Sequence, residues 1–495
     1  MNRRISVNFL LNFGGTILPL LSALLTVPIY ISQIGAARYG ILAVVWILLG
    51  YFGFLDFGLS RASANALSRL GAAGPEQRGP VLMTAFYLNL MLGSLGGLVL
   101  FFSADFLLRH FANLPPDLAR EALTASPWIA CMLPVALVSA IGTGAIESRE
   151  HFLTASAMQS FGGVTGQVAP VICAILIGPS LTVVIPAALF ARLLSTCIIW
   201  MIVLRREWPL SPRQFDRRQV RQLLGYGAWV SVSSGISPLL ETFDQMMIAV
   251  LLGPVFSAHY AVPMSLATRS QVIALALSKT LFPRLSRLNP QEAHALANRA
   301  IVTLAIGFGA VCGPAILLAD PFLRMWVGES FAVQSIPVAR MLLIGAWLNG
   351  LAFIPFSLLL GQRRPDTTAR IHLIEIVPFV LATYALVRLF GIDGAAWAWS
   401  LRGGCDFIVM LLAAGCWNRY LLRALPAAGL MALAGLVAPL MPEAIGWTLF
   451  WATLLGGACL VIGLAVDPGA RQTAWAFANA RLPSALGRFR LQQSG

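Results

Sequence analysis

The chain alternates long apolar runs with short polar segments along almost its whole length. About 20 apolar residues are enough for a helix to cross the hydrocarbon core of a bilayer. Counted this way, the pattern predicts 14 transmembrane helices, at 8–33, 39–58, 80–104, 125–147, 157–177, 181–204, 223–252, 256–281, 299–321, 337–360, 371–388, 394–416, 425–441 and 444–466. Two of these boundaries rest on Gly-Pro pairs, at 178–179 and 253–254, which are typical turn formers. The predicted fold is all-α and polytopic.

A weak internal repeat relates the second predicted helix to the eighth. The tetrapeptide Leu-Ser-Arg-Leu at 67–70 occurs again at 285–288, and the shift that superposes the two copies also aligns the residues before them. Ten identities fall within the 36 positions from 35 to 70, and Arg61 coincides with Lys279. Repeats of this kind are typical of transporters whose site lies between two pseudo-symmetric lobes.

The repeat and the loops together predict the domain organisation. We expect an N-lobe of six helices at 1–204 and a C-lobe of six helices at 223–416, joined by a basic linker at 205–222. A further helix pair at 417–466 and a C-terminal tail at 467–495 complete the chain.

Composition supports an integral membrane protein, because 58% of the residues are hydrophobic, only 11% are charged and the mean hydropathy is +0.79. Loops on the side of the N-terminus hold 25 of the 34 Lys and Arg, against five on the opposite side. This bias predicts that both termini are cytoplasmic. It also explains the net charge of +14 through contacts with anionic lipid headgroups, with no nucleic-acid partner.

Loops and side-chain spacing argue against an enzyme or a metal protein. No connection is long enough to hold a soluble catalytic domain. The seven cysteines and five histidines are scattered without the spacing of metal ligands, so we expect no metal and no cofactor.

Charged residues inside predicted spans are the main candidates for a site, because a charge at bilayer depth is costly without a partner or a wet cavity. Glu241 and Asp244 lie three positions apart on helix 7, and Arg269 lies on helix 8. These three residues could gate transport or couple it to an ion. The alternative is a static salt bridge that locks the two helices together.

Two further arginines, Arg192 and Arg402, occupy helices 6 and 12 and are related by nearly the same shift as the repeat. Arg192 has no acidic neighbour within one helical turn, which favours a position facing a cavity. Asp406 follows Arg402 by four positions, so this pair could neutralise itself.

The repeat-related cations Arg61 and Lys279 lie at the cytoplasmic ends of helices 2 and 8. Location alone favours ordinary anchoring at the headgroups. Their equivalence raises the alternative of a cationic pair at the cytoplasmic mouth. Asp56, five positions before Arg61, could orient or neutralise it.

Several segments resemble one family. The similar segments are Asn-Phe-Leu-Leu-Asn at 8–12, Leu-Leu-Thr-Val-Pro-Ile at 24–29, Ile-Gly-Ala-Ala-Arg-Tyr-Gly at 34–40 and Gly-Tyr-Phe-Gly-Phe-Leu-Asp-Phe-Gly-Leu-Ser-Arg at 50–61. A weaker similarity covers residues 394–402. These segments resemble bacterial polysaccharide flippases of the O-antigen (Wzx) type, in the multidrug/oligosaccharidyl-lipid/polysaccharide (MOP) exporter superfamily.

The resemblance implies a function and a set of partners. It implies a bacterial inner-membrane protein that moves an undecaprenyl-diphosphate-linked oligosaccharide from the cytoplasmic to the periplasmic leaflet by alternating access. Membrane lipids and a polysaccharide polymerase are the other implied partners. By analogy with cationic cavity residues of the family, anion binding is assigned to Arg61, Arg192, Arg269, Lys279 and Arg402. Gating or coupling is assigned to Glu241, Asp244, Asp56 and Asp406.

Three other functions compete with this one. A lipid II flippase would differ only in the sugar it carries. A drug or cation antiporter of the same superfamily is expected to have an acid-dominated cavity, whereas this chain has at least as many deep arginines as acids. A membrane polysaccharide polymerase or ligase is expected to need a sizeable periplasmic loop, and the predicted outer loops are short.

Overall fold

The computed structural model describes residues 2–51, 56, 58–70, 73–111, 115–149, 151–207, 214–220, 242–286, 288–362, 364–441 and 444–466. The first half of these residues forms helices α1 (Asn2–Tyr51), α2 (Leu59–Leu70), α3 (Pro75–Phe111), α4 (Pro116–Glu147), α5 (Phe152–Leu176), α6 (Leu181–Arg206) and α7 (Thr242–Leu251). The second half forms α8 (Pro254–Ser270), α9 (Val272–Leu285), α10 (Pro290–Val327), α11 (Glu329–Gly361), α12 (Pro365–Ala413), α13 (Leu425–Val437) and α14 (Ile445–Val466). The described residues are all-helical, as the apolar pattern predicts.

Two of the longest helices each contain two predicted spans joined at a glycine. The backbone of α1 turns at Gly35, where φ is 79° and ψ is 160°, and that of α12 turns at Gly391, where φ is 62° and ψ is −137°. Positive φ is cheap only for glycine, which lacks a Cβ atom. These two glycines therefore provide the turns that the sequence predicts after residues 33 and 388.

Ten helices among the described residues are long and apolar enough to cross a membrane. Counting α1 and α12 as two spans each accounts for twelve of the fourteen predicted. The predicted helix 7 lies mostly outside the described residues. The predicted helix 8, placed as one span at 256–281, is divided at Gln271 into α8 and α9.

The chain divides into two compact units. Unit 1 comprises Met1–Val262 and Thr383–Ala395, and unit 2 comprises Pro263–Ala382 and Ala396–Gly495. In unit 1 the central pairs are α3 with α4 and α4 with α6; in unit 2, α10 packs against both α11 and α14. The lobe boundaries expected from the sequence stay predictions.

Large apolar side chains remain exposed on the outward faces of both units, which is the reverse of a water-soluble protein. Phe102 and Leu176 are examples in unit 1, and Leu436 and Val461 are examples in unit 2. Exposed apolar surface of this extent is stable only against another apolar medium. The protein is therefore a multi-pass membrane protein.

Small residues set the distance between α3 and α4. A Cβ atom on Gly93 would lie 2.5 Å from the Cα of Pro134, and one on Gly97 would lie 2.5 Å from the carbonyl oxygen of Ala130. Only glycine allows the two backbones to approach this closely, which is the usual role of small residues between membrane helices.

A buried ionic group joins the ends of α2, α3, α4 and α6. Glu207, which caps the C-terminus of α6, accepts hydrogen bonds from the Nε of Arg78 at 3.1 Å and from the Nε of Arg149 at 2.6 Å. Arg78 is fully buried, and its other nitrogens donate to the carbonyl of Leu67 at 2.7 Å and the hydroxyl of Ser148 at 2.8 Å. One carboxylate and two guanidinium groups thus hold four chain segments together. We call this group the Glu207 node.

Electrostatics keep the Glu207 node ionised. Burial alone would raise the pKa of Glu207, but hydrogen bonds from Arg149 and Arg78 outweigh that effect and lower it below its ordinary value. The hydrogen bonds to Glu207 also raise the pKa of Arg149. Glu207 and Arg149 therefore both carry charge at neutral pH.

Removing one cation from the node should destabilise the protein. Arg78→Met leaves a buried carboxylate with one partner fewer, and breaking such a buried pair costs about 3–5 kcal/mol. Thermal unfolding of the purified protein should show a clear drop in Tm. Arg120→Met is the control, because Arg120 pairs with Asp117 at 2.8 Å on an exposed surface, where a pair contributes about 0–1 kcal/mol. Equal melting temperatures for the two variants would contradict the assignment.

The same node predicts an acid-sensitive part of the stability. Because the folded-state pKa of Glu207 is lowered, its contribution is fully present above the unfolded pKa of about 4.3 and is lost as the pH falls through the folded value. The difference in unfolding free energy between the wild type and Glu207→Gln should therefore be largest near neutral pH and shrink in acid. A difference that stays constant from neutral pH into strong acid would argue against this.

Candidate functional site

A cavity of about 280 Å³ opens inside unit 1, between α1, α4, α5 and α6. Its walls combine apolar and polar side chains, and its lining residues are Trp46, Met132, Ser139, Thr143, Met158, Gln159, Gly162, Gly163, Gly166, Ala188, Arg192, Ser195 and Ile199. Hydroxyl and amide groups on three helices face it. A polar cavity inside a membrane helix bundle is the kind of place where a hydrophilic group can sit at bilayer depth.

Arg192 is the one charged side chain among the described residues that line this cavity. It lies near the middle of α6, and its side chain remains accessible through the opening. The structure gives it no ion pair with a described acid. The Ser195 hydroxyl donates to the carbonyl oxygen of Arg192 at 2.9 Å, which directs that hydroxyl along the helix and not toward the guanidinium. The cavity therefore presents an unneutralised cation.

Glycines on α5 leave room for the cavity. A Cβ atom on Gly166 would meet no atom within 4 Å, so this residue borders open space. A Cβ atom on Gly162 would lie 3.2 Å from the hydroxyl of Ser195. The spacing of Gly162 and Gly166 resembles an ordinary helix-packing signal, but only Gly162 has that role here.

A second group of charged side chains lies in unit 2, between the two halves of α12. The halves fold back at Gly391, so that the guanidinium carbon of Arg402 lies 5.3 Å from the ring centre of Phe379. The Nε2 of His372 lies 3.7 Å from the Oδ1 of Asp406. Residues before and after the turn therefore meet at matching depths.

Glu375 joins this second group. Its carboxyl group is within hydrogen-bonding reach of the carboxyl of Asp406, and both carboxyls also interact electrostatically with Arg402. The sequence suggests that Arg402 and Asp406 neutralise each other one helical turn apart, but the structure shows no ion pair between these two residues. We call His372, Glu375, Arg402 and Asp406 the α12 cluster.

Asp244 has a partner within its own unit. It is fully buried on α7, and its Oδ2 accepts a short hydrogen bond from the hydroxyl of Tyr260 on α8. Its Oδ1 accepts from the backbone N–H of Gln245 at 2.8 Å. The Tyr260 contact ties α7 to α8, and both contacts suit a structural carboxylate. The gating role assigned to Asp244 stays a prediction.

The other predicted residues of this constellation are placed as follows. Arg269 is partly buried in the last turn of α8. Glu241 lies outside the described residues. The proposed arrangement of two acids facing one arginine therefore stays a prediction.

Asp56 acts as a cap for α2. Its carboxylate accepts from the backbone N–H of Ser60 at 3.1 Å, from the Ser60 hydroxyl at 2.9 Å and from the amide of Asn89 at 2.7 Å. A carboxylate at this position satisfies free N–H groups of the first helical turn. Arg61 lies on α2, and Lys279 lies on an exposed face of α9. The roles predicted for Asp56, Arg61 and Lys279 stay predictions.

His372 and Glu375 are not among the site residues predicted from the sequence. Nothing in the chain singles out His372, and Glu375 is one of several acids near predicted helix ends. Their spacing of three positions puts them on one helix face, which is a weak signal in the absence of a known partner. The partner, Asp406, lies on the other half of α12, beyond the turn, and becomes visible only in the folded hairpin.

The described residues contain no group of three or more His, Cys, Asp or Glu arranged to hold a metal ion. The site is instead a helical membrane bundle with a cation facing an internal polar cavity. These features define a polytopic membrane protein. A family model described as "Polysaccharide biosynthesis protein" matches residues 5–289, and the chain belongs to this family.

Individual relatives agree with this assignment. A protein of Shigella flexneri named "Putative O-antigen transporter" is 24% identical over 408 residues, covering 81% of this chain and 96% of its own. An uncharacterized membrane protein of Bacillus subtilis (strain 168), EpsK, is 22% identical over 467 residues, covering 90% of this chain and 88% of its own.

Solved structures show the same fold. The lipid II flippase MurJ, in an inward closed conformation, has a TM-score of 0.72 at 13% identity, covering 93% of this chain and 97% of its own. An inward-facing multidrug resistance MATE transporter of the MOP superfamily has a TM-score of 0.68 at 16% identity, covering 84% and 99%. The resemblance to MOP exporters expected from the sequence is confirmed.

The contact between Asp244 and Tyr260 can be tested directly. Tyr260→Phe keeps the ring and removes the hydroxyl that donates to a buried carboxylate, so we expect a loss of about 1.5–3 kcal/mol, the usual range for hydrogen bonds to charged groups. Thermal unfolding should show this loss. The control is Tyr384→Phe, which removes an exposed hydroxyl of the same unit. If the two variants melt at the same temperature, the hydrogen bond does not hold α7 to α8.

Proposed function

We propose that this protein is a flippase that moves an undecaprenyl-diphosphate-linked oligosaccharide from the cytoplasmic to the periplasmic leaflet of a bacterial inner membrane. Membership of a polysaccharide biosynthesis family supports a polysaccharide precursor as the substrate. The name of the Shigella relative supports an O-antigen type of precursor, and MurJ provides a fold that handles a lipid-linked sugar. The protein performs no chemical reaction in this proposal.

The position of Arg192 in the polar cavity of unit 1 is the observation that carries the proposal. A guanidinium group matches the geometry of phosphate oxygens and keeps its charge in a partly dry cavity. The guanidinium of Arg192 offers a contact to the diphosphate, and the hydroxyl and amide groups around it offer hydrogen-bond partners to the sugar. A cavity with this polarity favours an anion and disfavours the cationic drugs expected of an antiporter.

The remaining cations have less support for direct substrate contact. Arg402 is half-buried against Phe379 and faces two protein carboxyls, a setting that suits an internal role. Arg61 and Lys279 remain candidates for guiding the diphosphate at the cytoplasmic side, and Arg269 remains a candidate for contacting it within the membrane. The proposal places both termini in the cytoplasm, in line with the charge bias of the loops. It also leaves a polysaccharide polymerase as the protein that would use the flipped product.

The test is a flipping assay in proteoliposomes that contain a defined undecaprenyl-diphosphate oligosaccharide. The purified protein should transfer the lipid between leaflets, and Arg192→Ala should reduce the rate roughly 10- to 100-fold, since losing a charge-assisted contact costs about 1.5–3 kcal/mol. Arg192→Lys should restore part of the rate because it keeps the charge and loses the planar fork.

Arg205→Ala is the matched control, because Arg205 is an exposed arginine on the last turn of the same helix. It should flip at the wild-type rate. Lipid II assayed in parallel separates the two flippase functions. Full activity of Arg192→Ala, or no flipping of any lipid-linked oligosaccharide by the wild type, would overturn the proposal.

A further inference from the structure

The α12 cluster presents buried polar atoms that lack partners. The side chain of Asp406 is 9% exposed, and its Oδ1 accepts no hydrogen bond. Both carboxylate oxygens of Glu375 and the Nε of Arg402 are likewise buried without a hydrogen-bond partner. Buried polar atoms are nearly always paired, because leaving one unpaired costs about 1–3 kcal/mol. Four atoms without a hydrogen bond in one place therefore need a physical explanation.

The two carboxyl groups indicate that a proton fits between them. As carboxylates, Glu375 and Asp406 can only accept, so facing each other they repel and cannot form a hydrogen bond. One proton shared between them would turn this repulsion into a hydrogen bond and satisfy oxygen atoms that now lack partners. The two acids lie at nearly equal distances along the chain on either side of the turn at Gly391, so the helix halves bring the carboxyls to the same depth.

A count of charges gives the number of protons. With neutral His372, one arginine and two carboxylates leave the α12 cluster with a net charge of −1, and one bound proton makes it neutral. A neutral group is strongly favoured inside a membrane protein. No other charged group among the described residues acts on either carboxyl, and the neighbour stacked on His372 from α11 is the uncharged Phe356.

Arg402 gives the cluster two possible arrangements. Its guanidinium now lies over the ring of Phe379, held by a cation–π contact at 5.3 Å. When the proton leaves, the two carboxylates offer this guanidinium a stronger partner than the ring does. A move of Arg402 from Phe379 to the acids would shift one half of α12 against the other. Proton release would therefore be linked to a change in helix packing.

We propose that the α12 cluster binds one exchangeable proton between Glu375 and Asp406. No catalytic step is involved; a proton enters the acid pair from water and leaves to water.

Infrared spectroscopy of the purified protein during a pH titration tests the binding site without any transported substrate. The wild type should show one protonated carboxyl per chain whose carbonyl stretch disappears at alkaline pH. Glu375→Gln and Asp406→Asn should each lose this signal, because Arg402 alone then neutralises the remaining acid. Asp366→Asn, an exposed acid on the same helix, should leave it unchanged.

Arg402→Gln provides an independent check. Removing the cation leaves two acids with no compensating charge, so the protonated-carboxyl signal should persist to higher pH than in the wild type. The binding site is overturned if neither acid substitution changes the wild-type signal. It is also overturned if sodium at constant pH removes the signal in the way that alkali does, since that result identifies a sodium site.

Discussion

The high cost of an uncompensated charge away from water is the constraint on which the rest of this structure depends. The Glu207 node shows the complete solution. One carboxylate receives two guanidinium groups, and the remaining guanidinium nitrogens find a carbonyl and a hydroxyl. The node joins the ends of α2, α3, α4 and α6, and two of these helices, α4 and α6, also line the cavity. A fully satisfied ionic group suits a rigid frame, and it has no proton or partner to exchange.

The two functional candidates depart from that solution in different ways. Arg192 has no protein counter-charge but has access to a polar cavity, so water or a bound anion can supply what the helices do not. The α12 cluster has counter-charges but an unequal number of them, so a proton can supply the balance. A site that binds something reversibly needs an incomplete set of partners. Arg192 lacks a negative counter-charge and therefore suits an anion, whereas the α12 cluster has one negative charge too many and therefore suits a proton.

The sequence predicts the fold well and the sites in part. Apolar length and turn chemistry place the helices, and even the turns at Gly35 and Gly391 fall where the pattern breaks. Arg192 stands out because it has no acid within a helical turn, which is a local property. Pairings such as Arg78 with Glu207, which are far apart in the chain, depend on which helices are neighbours. Counting charges by loop assigns Arg78 to the headgroups, although it is fully buried.

Local spacing also misleads where a better partner is distant. Arg402 and Asp406 have the four-position separation that commonly forms a helical ion pair. In the fold, Asp406 instead faces Glu375 and His372 across the α12 hairpin, and Arg402 lies on an aromatic ring. The spacing of Arg402 and Asp406 alone indicates a static ion pair, whereas the folded hairpin places two acids together with an arginine beside them. That difference matters for function, because an arginine–aspartate ion pair has no site for a proton, whereas two facing carboxyl groups share one.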